Sequence, residues 1–422
     1  MPSWGLAFPD WITLASMFLT SSKQISAVCG DRAVDKGELM KKYPRLFVLV
    51  FCLSVCAGHA YAQNWVKHVI MEQGHCNTAV ALDVNGDKDL DVIASFNGRV
   101  SLFIAPDWRT EVILHRFDSN GGCIHSATLD IDGDGDLDWA GTLASGHPFW
   151  LENPGKAEAQ KGAWTPRVID PEITGIHCLL TSDIDNDGKE DLVINNFLPD
   201  KGLADSIAWF SVPENPLRAK QWNRHIFAVG DARGGSHYMG AGDIDGDGWK
   251  EIAVGAKGKP FADGNWFAFW TNPGKSGVKG KWEKTILAED QLAATNILPG
   301  DVNGDGKVDW IATRGHSSGV LWFENPSWKI HEIDEEIKQP HSLTVADHDN
   351  DGDLDVASCG YGSEWVRWYE NDGKGNFKIH TLDSAQQSYD LRTVDMDGDG
   401  DLDLLNAGRG SMNAVWYENR LN

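Results

Sequence analysis

The sequence predicts an all-β fold, a seven-bladed β-propeller of four-stranded blades, on three observations. An acidic nine-residue element recurs seven times, an aromatic strand signature recurs in step with it, and helical periodicity is absent over any useful length. The acidic element reads Asp-x-Asp/Asn-x-Asp-x-x-x-Asp/Glu and starts at Asp83, Asp130, Asp183, Asp243, Asp301, Asp347 and Asp395. Spacings of 46 to 60 residues leave room for four short strands per unit, the period of a propeller blade.

Each unit runs in the same order. An apolar strand enters the acidic loop, and a second apolar strand leaves it, as in LDVIAS from Leu90 and LDVAS from Leu354. The third strand ends in Trp-x-Glu-Asn-Pro or a relative: WLENPG at 150, WTNPG at 270, WFENP at 322, WYEND at 368 and WYEN at 416, with variants at Phe103 and Trp209. A fourth, alternating strand follows an aromatic at Trp65, Trp108, Trp164, Trp222, Trp282, Trp328 or Phe377. Twelve of the 19 tryptophans occupy these two positions, so they are expected to pack blade against blade rather than to stack on sugars. The seventh unit stops after its third strand, and a spare fourth strand, from Trp65 to Ile70, precedes the first loop. Pairing the two closes the ring and leaves no open sheet edge.

Residues 1–62 read as a leader and residues 63–422 as the propeller. Lys41, Lys42 and Arg45 form a basic segment, Leu46–Cys56 is an apolar run of 11, and Ala60-Tyr61-Ala62 is a small-x-small cleavage site. That pattern is a secretory signal peptide over 40–62 with its start at Met40, which makes 1–39 an over-long start. The competing reading is a membrane anchor, for which the apolar run is short. A secreted or periplasmic protein with no membrane span after cleavage is therefore expected. The four cysteines left, Cys76, Cys123, Cys178 and Cys359, allow three disulfide pairings that sequence cannot separate. A domain of this size does not depend on them.

The formal charge of -25 argues against nucleic acid as a partner. Without 1–62 the chain keeps 58 acids and 31 bases, a charge of -27. Thirty of those acids stand at the odd positions of the seven loops, so the rest of the domain is close to neutral. Loop positions 1, 3, 5 and 9 offer side-chain oxygens, and position 7 a backbone carbonyl, since Lys189, Trp249 and Lys307 occupy it in three copies. A set of hard oxygens suits Ca²⁺ rather than Zn²⁺, and the missing Glu at position 12 rules out an EF-hand. The bland alternative is a set of Asx turns in which each Asp caps its own backbone.

With these motifs, residues 65–422 resemble the FG-GAP/VCBS family of seven-bladed propellers, the class that includes the integrin alpha-subunit head. The resemblance implies acidic loops joining the first two strands of each blade and holding up to seven structural Ca²⁺ on the lower face. The implied ligand sets are Asp83, Asn85, Asp87 and Asp91, then Asp130, Asp132, Asp134 and Asp138, then Asp183, Asp185, Asp187 and Asp191. Blade four supplies Asp243, Asp245, Asp247 and Glu251, and blade five Asp301, Asn303, Asp305 and Asp309. Blades six and seven supply Asp347, Asp349, Asp351 and Asp355, and Asp395, Asp397, Asp399 and Asp403. The literal Phe-Gly…Gly-Ala-Pro segment is replaced by the WxENP strand, and all seven blades carry the loop where integrin heads have only some. Integrin-like ligand binding is therefore not implied.

The strands that lead into the loops start on the opposite face, near the axis. Five to eight residues before each first Asp stand His75, His125, His177, His237, Asn296, His341 and Tyr389. Tyr238, Arg233 and Arg392 adjoin them, and loops on the same face bring Arg99, His147, Lys257, Arg314, His316, Tyr361 and Arg409. Three readings of this funnel stand side by side. In the first, the histidines fill a narrowing channel by hydrogen bonding. In the second, they form a site for carbohydrate or another cell-surface ligand. There, His125, His177, His237, His341 and Tyr238 serve as acids and bases and the arginines neutralise a carboxylate during β-elimination. Or the imidazoles hold a transition metal. The architecture also resembles the propeller portion of fungal aldos-2-ulose dehydratase, a sugar-eliminating enzyme, at the level of fold. The reading adopted is a monomeric calcium-binding propeller recognising carbohydrate, with a sugar lyase or dehydratase as the alternative. His68, His225, His331 and His380, on the outermost strands, are expected to face solvent.

Overall fold

A computed structural model describes residues 65–72, 74–118, 121–143, 146–198 and 203–421. The leader, with its signal peptide, lies outside the described residues.

Twenty-eight strands form seven four-stranded antiparallel sheets, and no helix occurs among the described residues. In six blades the four strands follow one another in chain order. The seventh is built from Asp390–Val394, Asp403–Gly408 and Asn413–Asn419, with Trp65–Glu72 added at its outer edge. Trp65 pairs with Asn419 and Lys67 with Tyr417. The Lys67 ammonium reaches Asp383 at 2.7 Å and Gln386 at 2.9 Å, pinning the added strand to the end of blade six. Contacts between successive first strands run round a full circle, which makes them the lining of the axis.

Burial follows from position in the blade. The second strand is sandwiched between neighbouring blades, so both faces are covered: Asp191–Asn196, Glu251–Ala256 and Asp355–Gly360 are buried throughout. Outer strands such as Asn223–Ala228 are covered less completely, with Asn223 exposed, the next three residues half-buried and the last two buried. The apolar core is divided into clusters that lie between adjacent blades. Trp209 and Val193 of blade three pack with Trp270 and Ile252 of blade four. Ile93 and Leu102 of blade one pack with Trp139 and Leu151 of blade two. Trp139, Trp150, Trp164, Trp209, Trp270, Trp282 and Trp310 are fully buried, each worth about 3–5 kcal/mol on truncation to alanine. Those at the two repeated positions thus hold blades together, as their spacing predicts, while Trp139 and Trp310 lie on second strands outside that signature.

The outer-strand histidines depart from expectation. Each lies half-buried against the tryptophan of the third strand rather than free in solvent. His331 stacks on Trp322 at 4.3 Å and bonds Glu324 at 2.8 Å. His68 on Trp416, His225 on Trp209 and His380 on Trp368 repeat the stacking at 4.2 to 4.5 Å. Cross-strand neighbours on an exposed sheet face gain by covering the ring edge, which is why the same residue recurs. The four cysteines are free and buried.

Candidate functional site

Three of the first strands bring their N-terminal histidines to one point on the axis. His177, His237 and His341 come from blades three, four and six, are buried, and hold ring nitrogens within 4.8 Å of one another. His316, exposed on the loop above, places Nε2 3.1 Å from His237 Nε2. Tyr238 packs beneath, its ring 5.2 Å from His177 and from His341 and 5.1 Å from His125. Its hydroxyl is buried with no hydrogen-bond partner. Burial alone pushes His177, His237 and His341 well below the ordinary imidazole range, and neighbouring imidazoles push them further. His125 is pulled to about 4, first by burial, and so is His316, which is exposed as a residue but turns Nε2 inward against His237. At neutral pH these rings are uncharged, with lone pairs available.

Above the histidines lies a cavity of about 220 Å³ lined by Gly315, His316, Gln339, His341, Tyr361, Tyr389 and Arg409. Tyr389 stacks flat on His341 at 3.5 Å, and the Arg409 guanidinium sits 4.7 Å from the Tyr389 ring. Below them the channel is closed by Arg392, which binds Asp390 at 3.0 Å and the Ser126 carbonyl at 2.7 Å.

Six residues of extended strand separate His177 from Asp183, about 20 Å, so the acidic loops occupy the other face. Their backbone is wrapped by their own carboxylates. In blade two, Asp130 accepts from Gly133 N at 2.8 Å and Gly135 N at 3.1 Å, and Asp132 accepts from Asp134 N at 3.2 Å. Position 9 spans the hairpin: Asp138 accepts from Ile131 N at 3.0 Å and from Asn153 N at 2.7 Å. Position 6 needs a positive φ, which Gly135 supplies at 93° and Lys88 adopts at 79° in blade one. The Asx turns thus form, and they gather the same carboxylates that were read as candidate calcium ligands. Oxygens of Asp130, Asp132 and Asp138 lie within 4.8 Å of one another, as do those of Asp183, Asp185 and Asp191, of Asp243, Asp245 and Glu251, and of Asp347, Asp349 and Asp351. Two oxygens on opposite sides of a Ca²⁺ stand about 4.8 Å apart, so these residues fit the ion. Burial lifts the position-9 carboxyls of Asp138, Asp191, Asp355 and Asp403 to about 7.

A sequence model of the FG-GAP-like repeat matches residues 243–312, 301–358 and 347–406. Residues 243–406 thus carry FG-GAP-like repeats, within a chain that folds as a seven-bladed propeller. No curated protein matches its sequence. Among solved structures, it is similar to an Agrocybe aegerita lectin described as specifically recognising non-reducing terminal N-acetylglucosamine. That match has 17% identity and a TM-score of 0.50, over 86% of this chain and 87% of the lectin. Two structures of BBS1N in complex with ARL6DN, soaked with mercury or lead, match at 13% and 12% identity, each with a TM-score of 0.55. They cover 84% and 85% of this chain and 96% and 98% of theirs. At these identities the likeness is one of fold.

Not every funnel residue of this propeller reaches the site. His125, His177, His237, Tyr238, His316, His341, Tyr361, Tyr389 and Arg409 gather as described. His75 stays at the exposed rim, its Nδ1 2.9 Å from the Arg409 carbonyl. Arg99 is held by Glu111 at 2.7 Å, and Arg314 by Glu332 and Gln291, so neither presents a free cation. Arg233 lines a separate lateral cleft with Lys284 and Trp266. Arg392 is spent on Asp390 deep in the channel. Sequence reasoning missed Gln339, whose place just before a histidine-bearing strand was a usable signal. It also missed Phe197 and Phe261, which wall the histidines 5.0 Å from each other and follow no repeat.

Proposed function

We propose that this is an exported, calcium-loaded, monomeric propeller that recognises carbohydrate at the axial mouth opposite its acidic loops. The observation that carries the reading is the cavity of about 220 Å³ shared by Tyr361, Tyr389, Gln339, His316 and Arg409. Its size suits one sugar ring rather than a drug-sized ligand. Aromatic rings cover the apolar face of a pyranose, while Gln339 and Arg409 offer donors to hydroxyls or a carboxylate. With the acid gathered in the loops, Arg409 and Lys257 favour an acidic sugar here. A lectin of the same fold lends support to carbohydrate as the class. Export rests on the signal-peptide pattern of 40–62. No helix among the described residues is long and apolar enough to cross a membrane.

Titration calorimetry of the Ca²⁺-loaded protein against uronates and N-acetylhexosamines tests the reading. Binding should be lost in Tyr389→Ala and Arg409→Ala with the melting temperature kept. A folded protein that binds none of them, or variants that bind unchanged, would refute it.

A second reading is favoured by His316 and Arg409 lining the same cavity. Facing a uronate, His316 could take the proton beside the carboxylate that Arg409 neutralises. The freed electron pair forms a C=C bond as the β-alkoxide departs and is protonated by water. Ultraviolet absorbance of the unsaturated product reports this directly.

A further inference from the structure

We propose that the axis binds one transition-metal ion of the zinc class on His177, His237 and His341, with His316 closing the site from the mouth. The nitrogens of the three buried rings already lie within 4.8 Å of one another. Two nitrogens sharing a tetrahedral zinc stand roughly 3.3 Å apart, and His237 Nε2 and His316 Nε2 are 3.1 Å apart. Three ring nitrogens in this cluster, His177 Nδ1, His237 Nδ1 and His341 Nε2, are buried without a hydrogen-bond partner. Buried polar atoms nearly always have one, so three orphans on adjoining rings indicate a ligand, which His237 meets through one of its two nitrogens only. His341 shows the orientation such a site needs. Its Nδ1 lies 3.1 Å from the Tyr389 carbonyl, so Nδ1–H donates there and the Nε2 lone pair is left for a cation.

The donor set selects the ion. Imidazoles with no carboxylate among them suit zinc, copper or nickel and suit calcium poorly. The all-oxygen loops do the opposite. One chain would then sort two classes of ion to two faces by ligand chemistry alone. Entry is open through the exposed His316. Lys257 lies 5.3 Å from the Phe197 ring and Arg409 4.7 Å from the Tyr389 ring, so the bound ion adds to positive charge and calls for an anion above it. A sugar carboxylate at the mouth supplies that counter-charge. This last link rests on the recognition reading, whereas ion binding does not.

The test uses mature protein in excess Ca²⁺, which keeps the acidic loops filled, stripped of transition metals on a chelating resin. It is titrated with Co²⁺ alone and then with Zn²⁺. One Co²⁺ per chain is expected, with the visible absorption of tetrahedral nitrogen coordination and displacement by Zn²⁺. His316→Ala, at an exposed position, should weaken binding by about tenfold or more. Joint His237→Gln and His341→Gln should abolish it, and Lys161→Ala on the outer surface should not change it. Absence of stoichiometric cobalt in folded protein, or binding that survives the double substitution, overturns the proposal. His237 and His316 are then a hydrogen-bonded imidazole pair. If the double variant does not fold, His316→Ala decides: unweakened binding overturns. Cobalt binding without sugar binding removes only the recognition reading, and sugar binding without cobalt removes only this one.

Discussion

The Asn371 side-chain amide donates to the Val302 carbonyl of the preceding blade at 2.8 Å, while its own backbone N–H donates to Asp355 Oδ1 at 2.8 Å. One residue thus joins its acidic loop to the loop next door. Asn272 to Ile184, Asn325 to Ile244 and Asn419 to His348 repeat the link at 2.7 to 3.1 Å. The Asn of the WxEN signature is a staple between blades. Asn371→Ala leaves the buried Val302 carbonyl and the part-buried Leu354 carbonyl without that donor. A loss of about 1–3 kcal/mol is expected in denaturant unfolding. A loss below a few tenths would show that the staple carries nothing.

Lys88 occupies the position-6 turn at φ 79°, where six sister loops have glycine. A left-handed conformation costs a side-chain-bearing residue about 1–2 kcal/mol. Lys88→Gly should therefore stabilise the Ca²⁺-loaded protein by roughly 1 kcal/mol, less the extra chain entropy of glycine. Destabilisation would mean that the lysine side chain has a role of its own.

Calcium stabilisation should depend on pH with a definite sign. Position-9 carboxyls such as Asp138 and Asp403 are raised from 3.8 to about 7 by burial. A raised carboxyl favours the folded chain below 3.8 and loses that contribution as pH climbs through about 7. The ion-free protein therefore loses this contribution between about pH 4 and pH 7. Ca²⁺ binds the ionised form and offsets the loss. The gap in melting temperature between calcium and chelator should widen from about pH 5 to about pH 8. The buried histidines act oppositely: His125, lowered to about 4, contributes stability above 6.5 that is lost as pH falls through about 4. That effect enters both arms and drops out of the gap. A gap that stays flat across this range rejects the assignment of these carboxyls as ligands.

Cys76 and Cys178 have thiols pushed up to about 12 by burial, and Cys123 and Cys359 are raised by the same cause. A thiol reagent should leave all four untouched in the native protein and titrate all four after denaturation. Two or fewer reactive thiols in denaturant would reveal a disulfide.

Blade number, strand order and ring closure were legible because each depends on a pattern repeated seven times. The acidic loops were legible for the same reason, as turns whose carboxylates converge. The funnel was read less well, since reading back from Asp183 or Asp243 finds a strand start but not which way a loop turns. His316 and Arg314 lie two residues apart; one closes over His237 while the other is held by Glu332. The outer histidines were misjudged because alternation marks a residue as facing outward and does not show the indole beneath it. The asparagine staples were visible as a motif, yet their partners are 69 to 88 residues away.

The seam at Trp65–Glu72 has a consequence for how the molecule is made. His68 bonds Glu418 across 350 positions of chain, so the first of the described strands pairs only after the last of them has been made. Until then six blades can form in order while the ring stays unsealed, its terminal edge bare. Such long-range pairing is slow to form, and an exposed edge invites pairing between molecules. Sealing should be the late event of maturation. A cut placed in another blade's outer loop, with the present ends joined, would move that delay elsewhere without altering the finished ring.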